Sequence, residues 1–135
     1  SPESVRAAFE LLRDLDARGR RIVVCGEMHD ASGHPAPLHR QVGGEVVTLC
    51  GADVLVAYGK FAREVVTGAR DAGMPLTNAI ACRTATDAIS ALMPHLSPDD
   101  AVLVKGSQPL ALDNLNQLVI STAQPTPSML VSSFY

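Results

Sequence analysis

The 135-residue sequence has no tryptophan, three phenylalanines and two tyrosines. Phe9, Phe61, Phe134, Tyr58 and Tyr135 are its whole aromatic set. So few aromatic faces give little support to a base-stacking platform for single-stranded nucleic acid. An excess of positive charge is also missing. Eleven Lys and Arg face fourteen Asp and Glu, and the net charge of −3 argues against a dedicated nucleic-acid binder. No apolar run approaches the 18 residues of a membrane-spanning helix, and the first residues lack the basic-then-apolar pattern of a secretory signal. No disulfide framework is expected from three widely spaced cysteines, Cys25, Cys50 and Cys82. They read as reduced thiols of a cytoplasmic protein. Gly26–Ala31 holds no G-x-G-x-x-G, and Lys105-Gly106-Ser107 lacks the glycine loop of a Walker A motif, so the usual nucleotide cradles are absent.

What is present is a chain of single-domain length with 47% hydrophobic residues, enough to bury a core without a staple. It begins at Ser1 rather than Met, which suggests a piece of a longer protein. Ser1-Pro2-Glu3-Ser4 has helix-start chemistry. The apolar stripe Val5, Ala8, Phe9, Leu11, Leu12 and Leu15 then predicts a helix that Gly19 stops. Ile22–Cys25, Asp53–Ala57 and Ala101–Val104 are short, continuously apolar, β-branched runs of the kind that form strands buried on both faces. Thr77–Cys82 is a weaker strand. Helices are predicted over Leu38–Cys50, Lys60–Ala72, Thr84–His95 and Leu110–Val119. The pair Gly43-Gly44 suggests close packing on a sheet. Strands alternating with helices predict a three-layer α/β, Rossmann-like domain with a mostly parallel sheet. That domain spans residues 1–120. Residues 121–135 read as a tail, either disordered or carrying a short edge strand at Met129–Val131.

In such sheets the chemistry gathers at the carboxyl ends of the strands. Here those ends lead into Gly26–Pro37, Tyr58-Gly59-Lys60, Arg83-Thr84 and Lys105–Gln108. Cys25, Glu27, His29, His34 and His39 do not have the spacing of a metal motif, and no metal site is expected. A Ser107–His39–Glu27 hydrolase lacks the G-x-S-x-G elbow. A lysine directly after a buried strand, followed by Gly106 and a hydroxyl before a helix, suits a carboxylate or phosphate ligand, or else is a plain helix cap beside a solvated lysine.

Four segments carry a resemblance. Ser1–Ala8 is similar to an N-P-x-S-M-x-A-A opening, and Arg21–Met28 to a strand ending in G-D-M. Leu38–Gly43 is similar to an L-H-x-x-V-G helix, and Val102–Ser107 to L-V-K-G-S. In this order they resemble the C-terminal domain of the Mur ligases, of the MurF type. That resemblance implies an ATP-dependent carboxylate–amine ligase that adds D-alanyl-D-alanine to a UDP-muramoyl-tripeptide in peptidoglycan synthesis. It implies that ATP and Mg belong to the full-length enzyme and its N-terminal and central domains. None is expected to be bound by this domain alone, which would be inactive in isolation. It further implies substrate contacts from Glu27, Asp30, Lys105, Gly106 and Ser107, supported by His39 and Gln108, with Glu27 or Asp30 orienting the attacking ammonium or pairing with Lys105. The sequence departs from the pattern at Glu27 (usually Asp), at His29–Ser32 (usually L-E-L-G), at Gln108 (usually Arg) and at Asp113 (usually Glu). These departures leave room for altered amino-substrate specificity or a weakened ligase. The alternative is a stand-alone ligand-binding or regulatory domain of ligase ancestry.

Overall fold

The computed structural model describes residues 2–29, 32–106 and 129–132. Helix α1 (Pro2–Asp14) leads into β1 (Arg21–Cys25), followed by α2 (Pro35–Thr48), β2 (Val54–Tyr58) and α3 (Ala62–Asp71). Then come β3 (Ala79–Cys82), α4 (Ala85–Leu92), β4 (Ala101–Lys105) and β5 (Met129–Ser132). The five strands form one sheet in the order β3-β2-β1-β4-β5. Every pairing is parallel. This is a Rossmann-like α/β fold, with an edge strand where Met129–Val131 suggested one. The expected helix Leu110–Val119 lies outside the described residues.

The strands are apolar on both sides because both sides are covered. Val23, Cys25, Leu55, Ala57, Ala101 and Leu103 face one cluster, together with Phe9 and Leu12 of α1, Val42 and Val46 of α2 and Val65 of α3. Ile22, Val24, Val56, Tyr58, Val102 and Val104 face the other, against Ala88 and Leu92 of α4. The buried stripe of α1 is narrower than its apolar pattern, since Leu11 is 58% exposed while Phe9 and Leu12 are fully buried.

Several boundaries move for local reasons. Helix α2 starts at Pro35, three residues before the expected Leu38, because proline suits a first helical turn and the His34 carbonyl accepts the Leu38 N–H at 3.3 Å. The third strand is shorter than predicted. Pro75 and the turn Leu76–Asn78 precede it, and the Asn78 amide donates to the Asp53 carbonyl at 3.0 Å. Helix α4 begins after Thr84, whose hydroxyl accepts the Asp87 N–H at 3.1 Å. Gly43 and Gly44 do not lie against the sheet. Gly43 meets the backbone of α3, and Gly68 of α3 meets the backbone of α2, so the glycines set a helix–helix crossing.

Candidate functional site

The chain runs outward from β1 to β2 and β3, then returns across the sheet to β4 on the other side of β1. The topological switch point therefore lies between β1 and β4, where open α/β sheets usually bind ligands. The two strands end together. Cys25 is in register with Lys105, and the Gly26 N–H donates to the Lys105 carbonyl at 2.7 Å. This junction brings together the Gly26-Glu27 and Lys105-Gly106 segments, as the sequence suggested.

Tyr58 fills the crevice at this junction. A Cβ on Gly26 would lie 2.6 Å from the Tyr58 hydroxyl oxygen, and a Cβ on Gly106 would also collide with it. Both glycines are needed for the ring to cross here. The Tyr58 hydroxyl is buried with no hydrogen-bond partner among the described residues. Burial pushes its pKa up to about 12, with a smaller contribution from Cys25. The phenol therefore stays neutral.

Glu27 is exposed at the end of β1, and its Oε1 accepts the Lys60 N–H at 2.8 Å, at the start of α3. A carboxylate at this position favours the positive end of the helix dipole. The expected pairing of Glu27 with Lys105 is not formed. Lys105 is instead fully buried on the α1 side of the sheet, where its ammonium donates to the Ser4 hydroxyl at 3.4 Å. Burial lowers its pKa, and neighbouring Cys25 opposes that shift. The lysine is not the solvated side chain of a simple helix cap. Asp30, Ser107 and Gln108 lie outside the described residues.

His39 is buried, and both of its nitrogens are in use. Nε2 accepts the Met28 N–H at 2.9 Å, so Nδ1 carries the proton and donates to the Pro35 carbonyl at 2.6 Å. The ring stacks on Phe61 at 4.6 Å between centroids. His39 thus ties the segment after β1 to the first turn of α2 and to the start of α3. With no nitrogen free to accept a proton from a nucleophile, it cannot serve as the base of the hydrolase considered above. His39→Ala leaves the Met28 N–H unpaired and opens a cavity. Denaturant unfolding is expected to show a loss of about 2–3 kcal/mol.

No three His, Cys, Asp or Glu side chains among the described residues gather as a metal site. No described helix is long and apolar enough to cross a membrane. Cys25, Cys50 and Cys82 form no disulfide. Burial pushes the Cys50 pKa up to about 11. A cavity of about 210 Å³ lies at the opposite, amino ends of the strands, beside Arg20, Val54 and Asn78. Its Arg20 and Asn78 are already bonded, to Asp100 and to the Asp53 carbonyl. Sequence reasoning missed Tyr58, whose only signal was its place at the end of an apolar run beside a glycine.

Comparison with known proteins matches residues 1–108 to the family described as Mur ligase, glutamate ligase domain. Two crystal structures of MurF from Acinetobacter baumannii are similar in fold. One has a TM-score of 0.68 at 24% identity and the other 0.63 at 22%. Each match covers 90% of this chain and 25% of the other, so the chain spans about a quarter of the length of those proteins.

Proposed function

This chain belongs to the Mur ligase family through its glutamate ligase domain, and from that membership we propose that the full-length protein is an ATP-dependent amide ligase of the MurF kind. In this reading it works in the cytoplasm and joins D-alanyl-D-alanine to a UDP-muramoyl-tripeptide during peptidoglycan synthesis. The observation that supports it best is the junction of β1 and β4. The two strands carrying the family-like G-E-M and K-G-S segments are neighbours, and they end side by side at the switch point.

The amine of the incoming dipeptide attacks the carbonyl carbon of an acyl phosphate. A C–N bond forms, the bond from that carbon to the phosphate oxygen breaks, and phosphate leaves with the electron pair. The ammonium must first lose a proton, to water or to a base outside this domain. We assign to this domain the binding and orientation of the amino substrate, and none of the bond-making groups. Exposed Glu27 stands at the open edge to hold the ammonium. Lys105 is a positioning residue, its buried ammonium held on the α1 side of the sheet by the Ser4 hydroxyl. Gly106 is assigned to the substrate loop from the family pattern, the space of its missing side chain being taken by Tyr58. Ser107 is assigned from the family pattern, and Asp30 and Gln108 from their positions in it, where this sequence departs from the usual residues. His39 supports the site by holding the Met28 amide.

The switch-point crevice does not fit a nucleotide, because Tyr58 occupies it, and no His, Cys, Asp or Glu group among the described residues is suited to magnesium. Both are assigned to the N-terminal and central domains of the same protein. Ligation is accordingly expected from the full-length enzyme and none from this domain alone. In the full-length enzyme, Lys105→Met is expected to raise KM for the dipeptide roughly tenfold and leave KM for ATP within about twofold. Equal changes in both would remove Lys105 from the carboxylate site, and a wild-type enzyme that makes no amide would overturn the ligase reading itself.

A further inference from the structure

Most arginines of this chain are already engaged. Arg6, Arg13, Arg20 and Arg40 pair with Glu45, Asp14, Asp100 and Glu64. Arg21 and Arg70 donate to main-chain carbonyls. Arg18, Lys60, Arg63 and Arg83 depart from this pattern, and the last three lie together. All three are exposed and line a cavity of about 190 Å³ at the carboxyl ends of β2 and β3, with Gly59 and Cys82 in its wall. Among the described residues none of the three has an ion-pair partner.

The nearby acids form no ion pair with this group. Glu64 in the first turn of α3 is turned to Arg40, at 2.7 Å. Glu27 is held on the Lys60 N–H. Asp87 belongs to the first turn of α4, where its charge acts on the Cys82 thiol. The Lys60 ammonium lies 5.5 Å over the Phe61 ring, and that ring is itself stacked on buried His39. The lysine is therefore placed by a cation–π contact on a fixed support. The cavity wall includes Ala62 and Arg63 of the first turn of α3, the end at which the helix dipole favours an anion.

We propose that this cavity is a binding site for a phosphoryl group. The chemistry favours phosphate over a single carboxylate. Three cations and a helix start around one small cavity would repel each other about a single negative charge. A phosphate carries about −1.5 to −2 charges and three acceptor oxygens, which suit two guanidinium forks and an ammonium. The protein is acidic overall, so this convergence is local. The site lies on the β2–β3 side of the sheet edge, next to Glu27, whose carboxylate accepts the Lys60 N–H, and the inference does not rest on the ligase reading.

The test is calorimetric titration of the intact protein at low ionic strength with inorganic phosphate, a phosphomonoester and acetate. The variants are Arg63→Gln/Arg83→Gln and, as a control, Arg18→Gln, an exposed arginine outside the cavity. Saturable phosphate binding is expected in the wild type and in Arg18→Gln. It should be weakened roughly tenfold or more in the double variant, the loss typical of removing charge-assisted hydrogen bonds. Acetate should bind at least about tenfold more weakly than phosphate. The tighter of inorganic phosphate and phosphomonoester then identifies the source of the group, and either order supports the site. Absence of saturable phosphate binding in the wild type would overturn the proposal. So would an equal loss in Arg18→Gln, or acetate binding as tightly as phosphate.

Discussion

Gly43→Ala is expected to destabilise the protein by about 3 kcal/mol or more, whereas Gly44→Ala, one residue on, is expected to stabilise it by about 0.5–1 kcal/mol. The two glycines share a helix and a residue type and differ only in what lies opposite. A Cβ on Gly43 would sit 1.8 Å from the Val65 carbonyl oxygen, and one on Gly68 would sit 1.9 Å from the Arg40 carbonyl oxygen. The obstacle in both cases is backbone within a helix, which cannot rotate aside as a side chain can. Helices α2 and α3 would have to separate, pulling Val42, Val46 and Val65 out of one shared cluster. For Gly44 the nearest atom to a Cβ is the Gly68 oxygen at 3.8 Å, an ordinary contact. Only the helix-propensity gain of alanine over glycine then remains. Since domains of this size are stable by only about 5–15 kcal/mol, the first variant should lose much of its margin. Urea unfolding followed by circular dichroism reads both signs, and an unchanged midpoint in Gly43→Ala would refute the tight crossing.

This crossing also marks where sequence reasoning stops. The three buried strands were legible because a β-branched apolar run carries its own signal, and their ends moved by only a residue or so. The glycine pair signalled a close approach, but its partner depended on how α2 and α3 cross, and no short stretch of sequence encodes that. The candidate site divides the same way. The juxtaposition of Gly26 with Lys105 and Gly106 follows from parallel topology alone, and topology could be read from the order of the elements. The detailed contacts could not. Glu27 binds an amide 33 residues away, and Lys105 turns under α1 to meet Ser4, 101 residues away. Tyr58 looked like the end of an apolar run, and its role depends on glycines from two other strands. His39 is an intermediate case. The resemblance implied only a supporting role, and the structure supplies its partners in the Met28 N–H, the Pro35 carbonyl and the Phe61 ring.

Asp100 is the plainest example of such long-range dependence, and Asp100→Asn is expected to reduce stability at neutral pH by about 3–4 kcal/mol. In sequence it is only the last residue of a Pro-Asp-Asp turn. In the structure it is 2% exposed and joins three segments. Its Oδ1 accepts the Arg20 N–H at 3.0 Å, and its Oδ2 accepts the Ser97 N–H at 2.9 Å and the Arg20 guanidinium at 2.8 Å. Arg20 also donates to the His95 carbonyl. Asparagine keeps the shape, but it removes the charge and turns an NH₂ group toward one of these donors. Burial alone would raise the Asp100 pKa. The bonds from Arg20 and Ser97 outweigh it and hold the carboxyl below its ordinary value. Because the folded-state pKa is the lower one, the unfolded chain takes up the proton first as pH falls. The contribution of Asp100 is thus complete above the ordinary carboxylate range, near pH 4, and disappears as pH drops through the folded value. The stability difference between wild type and Asp100→Asn should accordingly be constant from about pH 6 to 8 and narrow steadily below about pH 4. Urea unfolding across that range measures it. A difference that held its full size in acid would mean that the variant fails through shape, and that the buried charge contributes nothing.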